Sequence, residues 1–169
     1  MSDSSWSEQL SAADRVRMVA ETVGEPRTAN WVAEKAEVAH ETARKYLDRL
    51  AENGRLLAET DGDRTVYRPD PVGQYLVETR ELYDDHTPEE LADSLSTMNE
   101  EIRSWRETYG VQTPNELRAS IADATDPKDE RERRRIAREW ERLRYRRQLV
   151  EDALRLHDRF PDEQTHAPA

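Results

Sequence analysis

The chain has 169 residues, enough for one domain or one small domain with an accessory segment. It carries 37 acidic against 26 basic residues, a formal net charge of −11, and has no cysteine, which excludes a disulfide framework, a thiolate nucleophile and a thiolate metal site. No apolar run exceeds three residues, so no membrane-spanning helix is expected, and the start MSDSSWSEQL lacks the basic and apolar regions of a signal peptide.

Taken in chain order, the helix punctuation is legible. Ser11 opens a helix, with Asp14 three residues on to close a capping box. Val16, Val19, Ala20 and Val23 follow at helical spacing until Gly24-Glu25-Pro26 stops the run. Thr28 starts a second helix bearing Val32, Ala33 and Ala36. After Glu37-Val38-Ala39 a third helix carries Ala43, Leu47 and Leu50, and it ends at Asn53-Gly54. Two β-prone pieces, 55–60 and 64–68, are joined through Asp61-Gly62-Asp63 as a hairpin, which Pro69 and Pro71 close. Three helices and then a hairpin, over residues 11–70, is the order of a winged helix-turn-helix.

From Val72 to Phe160 only helical patterns occur. Three are opened by one device, Thr87-Pro88, Thr113-Pro114 and Asp126-Pro127, each a capping side chain followed by proline at the first helical position. The helix from Pro88 to Tyr109 aligns Leu91, Leu95, Met98, Ile102, Trp105 and Tyr109 in a coiled-coil-like seam. The last, about Pro127 to Phe160, continues with Ile136, Trp140, Leu143, Val150 and Leu154, and its length calls for a partner. The fold expected is therefore mainly α: a winged helix-turn-helix over 11–70, then an all-α dimerisation region over 72–160. Leu91, Leu95, Met98, Ile102, Trp105, Tyr109, Trp140, Leu143, Val150 and Leu154 are the expected homodimer interface. Residues 1–10 and 161–169 are expected to be flexible termini.

The segment TANWVAEKAEVAHETARKYLDRLAENGRLL reads as a positioning helix, a tight turn and a recognition helix. Away from the buried Ala43, Leu47 and Leu50, that third helix offers His40, Glu41, Thr42, Arg44, Lys45 and Arg49. Its hydrophobic skeleton resembles the winged-helix domains of ArsR-type and MarR-type transcriptional regulators. The matching residues are Thr28, Val32-Ala33, Val38, Thr42, Leu47, Leu50 and Gly54-Arg55-Leu56-Leu57. The wording WVAEKAEVAHETARKYLDRL is similar to haloarchaeal regulators of this class. The resemblance covers roughly residues 11–70 and implies double-stranded DNA as partner. It implies groove or phosphate contacts from Arg44 and Lys45 and base contacts near His40 and Thr42. It further implies a wing contact from Arg64, with Arg68 on the same hairpin, and a phosphate held near Thr28 and Asn30.

Within the recognition helix Arg44, Lys45 and Arg49 are cancelled by Glu41, Asp48 and Glu52. That balance predicts few phosphate contacts and reliance on direct and shape readout. The competing reading is a protein–protein interaction module that uses a winged helix without DNA. The composition, 23 Arg against 3 Lys with 18 Ala, fits a protein working in the cytoplasm at molar salt. Residues 131–147 hold nine arginines among carboxylates. They read as a solvated helix with i,i+4 ion pairs, ahead of a nucleic-acid stripe of Arg133, Arg134, Arg138 and Arg142 with Tyr145, or a contact with an acidic partner subunit. No catalytic residues, metal ligands or cofactor motif are found: the four histidines are scattered and no Gly-rich phosphate loop is present. No residue pattern points to a small-molecule effector. The function expected is thus a sequence-specific regulator of transcription, a repressor that occupies DNA as a dimer and catalyses nothing.

Overall fold

Large apolar side chains are scarce in this chain, and the packing follows from that. The structure, a computed structural model, describes residues 10–124 and 126–161. It is mainly helical, with a small three-stranded antiparallel sheet. It divides into two compact units, one ending at Glu78 and one starting at Thr79. The expectation for the termini falls outside the described residues, apart from Leu10 and Pro161.

In the first unit α1 (Ala12–Glu21) begins at Ser11, whose hydroxyl accepts from the Asp14 amide at 3.1 Å. It ends three residues before Gly24, because the Thr22 hydroxyl donates to the carbonyls of Met18 and Val19 and closes the last turn. A two-residue strand, β1 (Arg27–Thr28), leads into α2 (Ala29–Ala36), capped by the Thr28 side chain. Glu37 takes a left-handed conformation, φ 54°, and turns the chain into α3 (His40–Glu52). The strands β2 (Leu56–Asp61) and β3 (Arg64–Pro69) pair with Asp61 opposite Arg64, leaving a two-residue loop. Gly62 opens that loop at φ 62°, the arrangement of a type II′ turn. β3 also pairs with β1, so the sheet order is β1-β3-β2. The strand β1 is an addition to the expected hairpin: two residues are too few to show a period.

The core of this unit is Val16, Ala20, Ala29, Val32, Ala33, Ala36, Ala43, Leu47, Leu56 and Tyr67. Alanines at the crossings of α1, α2 and α3 let the helices approach closely. The sheet is tied to the next helix, α4 (Pro71–Asp85), by the Asp70 amide donating to the Arg55 carbonyl at 3.1 Å. The Gln74 side chain donates to the same oxygen at 3.1 Å.

The second unit holds the end of α4, then α5 (Pro88–Tyr109), α6 (Pro114–Ala119), a 3₁₀ turn (Ser120–Asp123) and α7 (Pro127–Arg159). All three Pro-preceding caps act as such. Thr87 and Glu90 form a full capping box, Thr113 accepts from the Glu116 amide, and Asp126 accepts from the amides of Lys128 and Asp129. Ile102, Leu117, Ile136, Ala137 and Trp140 form the core, with Trp105, Tyr109, Val111 and Leu143 against it. The Trp105 and Trp140 rings lie 5.8 Å apart, within range for an aromatic pair. Near its end α7 is held by the Tyr83 hydroxyl donating to the Phe160 carbonyl at 3.0 Å and by His157 at 3.0 Å from the His86 carbonyl.

The partner that the length of α7 calls for is therefore found, over its first half, within the same chain. Of the residues expected at a dimer interface, Ile102, Trp105, Tyr109, Trp140 and Leu143 belong to this intrachain core. Leu91, Met98 and Val150 are buried, while Leu95 and Leu154 are half-buried. The 3-4 spacing recorded a helix partner without recording whose helix it was.

Gly73 provides a test of the α3–α4 joint. A Cβ there would lie far inside contact distance of the Gly54 carbonyl oxygen, whereas one at Gly24 would meet nothing within 4 Å. Helix propensity alone would favour alanine at position 73 by about 1 kcal/mol. Gly73→Ala is expected instead to destabilise by about 1–3 kcal/mol, as overpacking does, and Gly24→Ala to be near neutral. Urea unfolding of the two variants checks this.

Candidate nucleic-acid interface

Three elements of the first unit converge on one open groove of about 430 Å³. The start of α2 contributes Thr28, Ala29 and Asn30, the first turns of α3 contribute His40 and Arg44, and the hairpin contributes Asp63, Arg64, Thr65 and Tyr67. The convergence follows from the local fold. Thr28 caps α2 and also pairs with Val66, so the helix start is held against the sheet. His40 and Arg44 are one helical turn apart, hence on one face of α3. The two-residue turn places Arg64 at the first position of β3.

Of the ten residues expected to contact DNA, the groove gathers Thr28, Asn30, His40, Arg44 and Arg64. Glu41 stands beside it, 3.5 Å from the His40 ring. Thr42 is half-buried. Lys45 and Arg49 lie on another face of α3, where both cations sit over the Tyr46 ring at 5.7 and 5.9 Å. Arg68 is held by Glu59 through Nε and Nη2, at 3.0 and 2.8 Å. Among the described residues Arg64 has no carboxylate partner, and Arg44 has only the long contact to Asp48, 3.9 Å.

Tyr67 and Asp48 were not among the expected site residues, yet they join the groove's two walls. The Tyr67 side chain is buried, and its hydroxyl donates to Asp48 Oδ1 at 2.6 Å. Asp48 thus fixes β3 to α3 while standing next to Arg44. Burial, and then the hydrogen bond and charge of Asp48, push the Tyr67 hydroxyl up to about 12, with Arg44 pulling the other way. The sequence signal was the aromatic at an inward strand position, but which carboxylate meets its hydroxyl depends on the angle between hairpin and helix. Among the described residues no group of three or more His, Asp or Glu is placed to hold a metal ion, and no helix is long and apolar enough to cross a membrane.

The Tyr67 hydroxyl is protonated in the folded chain, so its stabilising contribution is complete below pH 10 and is lost as pH rises toward about 12. Tyr67→Phe is expected to cost about 1 kcal/mol at neutral pH. The gap between variant and wild-type urea midpoints should then narrow between pH 10 and 12.

No curated protein matches the sequence. A solved transcriptional regulator is similar over 91% of this chain and 90% of its own, at 15% identity and a TM-score of 0.37. Human N-acetylserotonin methyltransferase, solved in complex with SAM, is similar over 66% of this chain and 38% of its own, at 17% identity and a TM-score of 0.34. Both likenesses are too distant to assign a fold or an activity. A family match, by contrast, spans residues 10–159, and on it the chain belongs to DUF7342, a family of unknown function.

Proposed function

We propose that the first unit is a winged helix-turn-helix and that the protein is a sequence-specific regulator of transcription, binding double-stranded DNA without catalysis. The observation that carries this reading is the groove where Thr28, Asn30, His40, Arg44 and Arg64 meet from three elements. In this reading α3 is the recognition helix, its first turns offering His40 and Arg44 to base edges, and β2 and β3 form a wing that presents Arg64 to the backbone. The start of α2, at Thr28 and Asn30, receives a phosphate at the positive end of the helix. Repression follows from occupancy of a promoter.

The test is a mobility shift with promoter DNA in KCl. Wild type is expected to shift it, and Arg44→Ala/Arg64→Ala to bind at least about tenfold more weakly, since single base or phosphate contacts contribute about 1–3 kcal/mol. If neither protein shifts any DNA, the regulator reading is lost and the protein–protein module takes its place.

Dimerisation belongs to the same proposal, on a different surface from the seam that the chain consumes internally. Val72 and Leu76, one turn apart on α4, are 69% and 62% exposed and are the residues a second copy would cover. Light scattering is expected to give a dimer that Leu76→Glu converts to a monomer; a monomeric wild type at micromolar concentration removes the dimer from the proposal.

A further inference from the structure

The arginines of α7 divide into two populations. Arg133 is bound to Asp129 at 3.1 Å, Arg134 to Glu130, Arg135 to Glu132 and to Glu139 at 2.8 Å, Arg147 to Glu151 at 2.9 Å, and Arg155 to Asp152. Glu141 is bound to Arg118 of α6, which together with Arg144 holds its carboxyl below the usual range. Every carboxylate of α7 from Asp129 to Asp152 therefore has a named cation. Arg131, Arg138, Arg142, Arg144, Arg146 and Arg159 are left over: all six are exposed and none is ion-paired among the described residues, and Arg131, Arg138, Arg142 and Arg146 are in line.

Their spacing puts these four on one face. Steps of seven, four and four residues return to the same side of an α-helix, and the rise gives intervals of about 10, 6 and 6 Å, roughly 22 Å in all. The opposite side carries Ile136, Ala137 and Trp140 into the core. The result is a straight row of unneutralised guanidinium groups, flanked by Glu139 and, beside Arg142 and Arg146, by Glu101.

We infer that this row binds the phosphate backbone of duplex DNA, supplying the sequence-independent attraction that the charge-balanced recognition helix lacks. The inference rests on the DNA-binding reading above. A polyanion fits better than a protein partner, because a stable protein interface needs an apolar centre. The row encloses no such centre: from Arg131 to Arg138 the apolar residues face the core, and in the groove beside Arg142 and Arg146 only the half-buried Trp105 and Leu143 reach the surface, both packed against that core. Phosphates recur every 3.4 Å of duplex axis on each strand, more closely than the arginines, so each guanidinium can find one. The planar fork of arginine grips phosphate through two parallel hydrogen bonds. The expectation of few phosphate contacts then applies to the recognition unit alone.

Fluorescence anisotropy of the full chain with a random-sequence duplex, from about 0.1 to 1 M KCl, tests the assignment. Each arginine that neutralises a phosphate contributes about 0.9 to the slope of log K against log salt. Arg138→Ala/Arg142→Ala/Arg146→Ala is expected to lower the slope by about 2.7 and the affinity at 0.15 M KCl on the order of a hundredfold, the two proteins converging near 1 M. The matching Arg→Lys triple should keep most of the slope, which separates lost charge from lost folding. An unchanged slope in the alanine triple overturns the inference while leaving the regulator reading intact. A changed molecular mass with unchanged slope also overturns it and makes the row a protein contact. Failure of the wild-type chain to bind any DNA overturns both readings.

Discussion

In the first unit, the close approach of helices across alanine sets everything built on them. Half of its buried cluster is alanine, at positions 20, 29, 33, 36 and 43. Burying so small a side chain removes little apolar area from water, so stability must come from dense contact and from caps that fix the helix ends. Thr28 and Ser11 supply such caps, and Glu37 accepts a left-handed backbone to bring α3 across α2. Once those crossings are fixed, His40 and Arg44 have one direction in which to point. The groove is thus a consequence of small side chains several residues away from it.

Tyr67 is the exception in that cluster, an aromatic among alanines and short aliphatics. A ring of that size fills the space between sheet and helix that no alanine could, but it carries a hydroxyl into the interior. Asp48 receives the hydroxyl at 2.6 Å. One of the acids that offset the basic residues of α3 therefore has a structural duty, holding β3 to α3 beside Arg44. Its charge, half exposed at the surface, is shared between that hydrogen bond and the Arg44 guanidinium 3.9 Å away. The helix gives up net positive charge and gains a fixed angle to the hairpin.

Local features were legible in the sequence because they act over a few residues. The three capping side chains before proline, the Asp-Gly hairpin and the Thr28 cap all depend on neighbours within four positions, and each appears in the structure. Groove residues on well-punctuated elements, such as Arg44 on α3 and Arg64 after the turn, could be named for the same reason. What escaped was decided at longer range. β1 exists because Arg27 and Thr28 find Tyr67 and Val66 on a distant strand. The seam of α5 reads identically whether its partner is another subunit or α7 of the same chain. Lys45 departs from the groove to sit over the half-buried ring of Tyr46, 5.7 Å from its centroid.

A net charge of −11 describes the chain poorly as an electrostatic object. The field at a surface is set by the charges within a Debye length of it, about 8 Å at physiological ionic strength, and over that range pairing matters more than totals. On α7 the carboxylates from Asp129 to Asp152 are spent on neighbours at i,i+3 and i,i+4 or, for Glu141, on Arg118 of α6, which leaves a positive row on a helix whose sequence looks mixed. On α3 the same kinds of residue give a face near neutrality, because Asp48 and Glu41 lie beside Arg44 and His40. The two surfaces differ because 131–147 of α7 holds nine arginines against three acids while α3 balances three against three, and the register of acid and base along the helix decides where the excess falls. An acidic chain can approach a polyanion where its own acids are already bound.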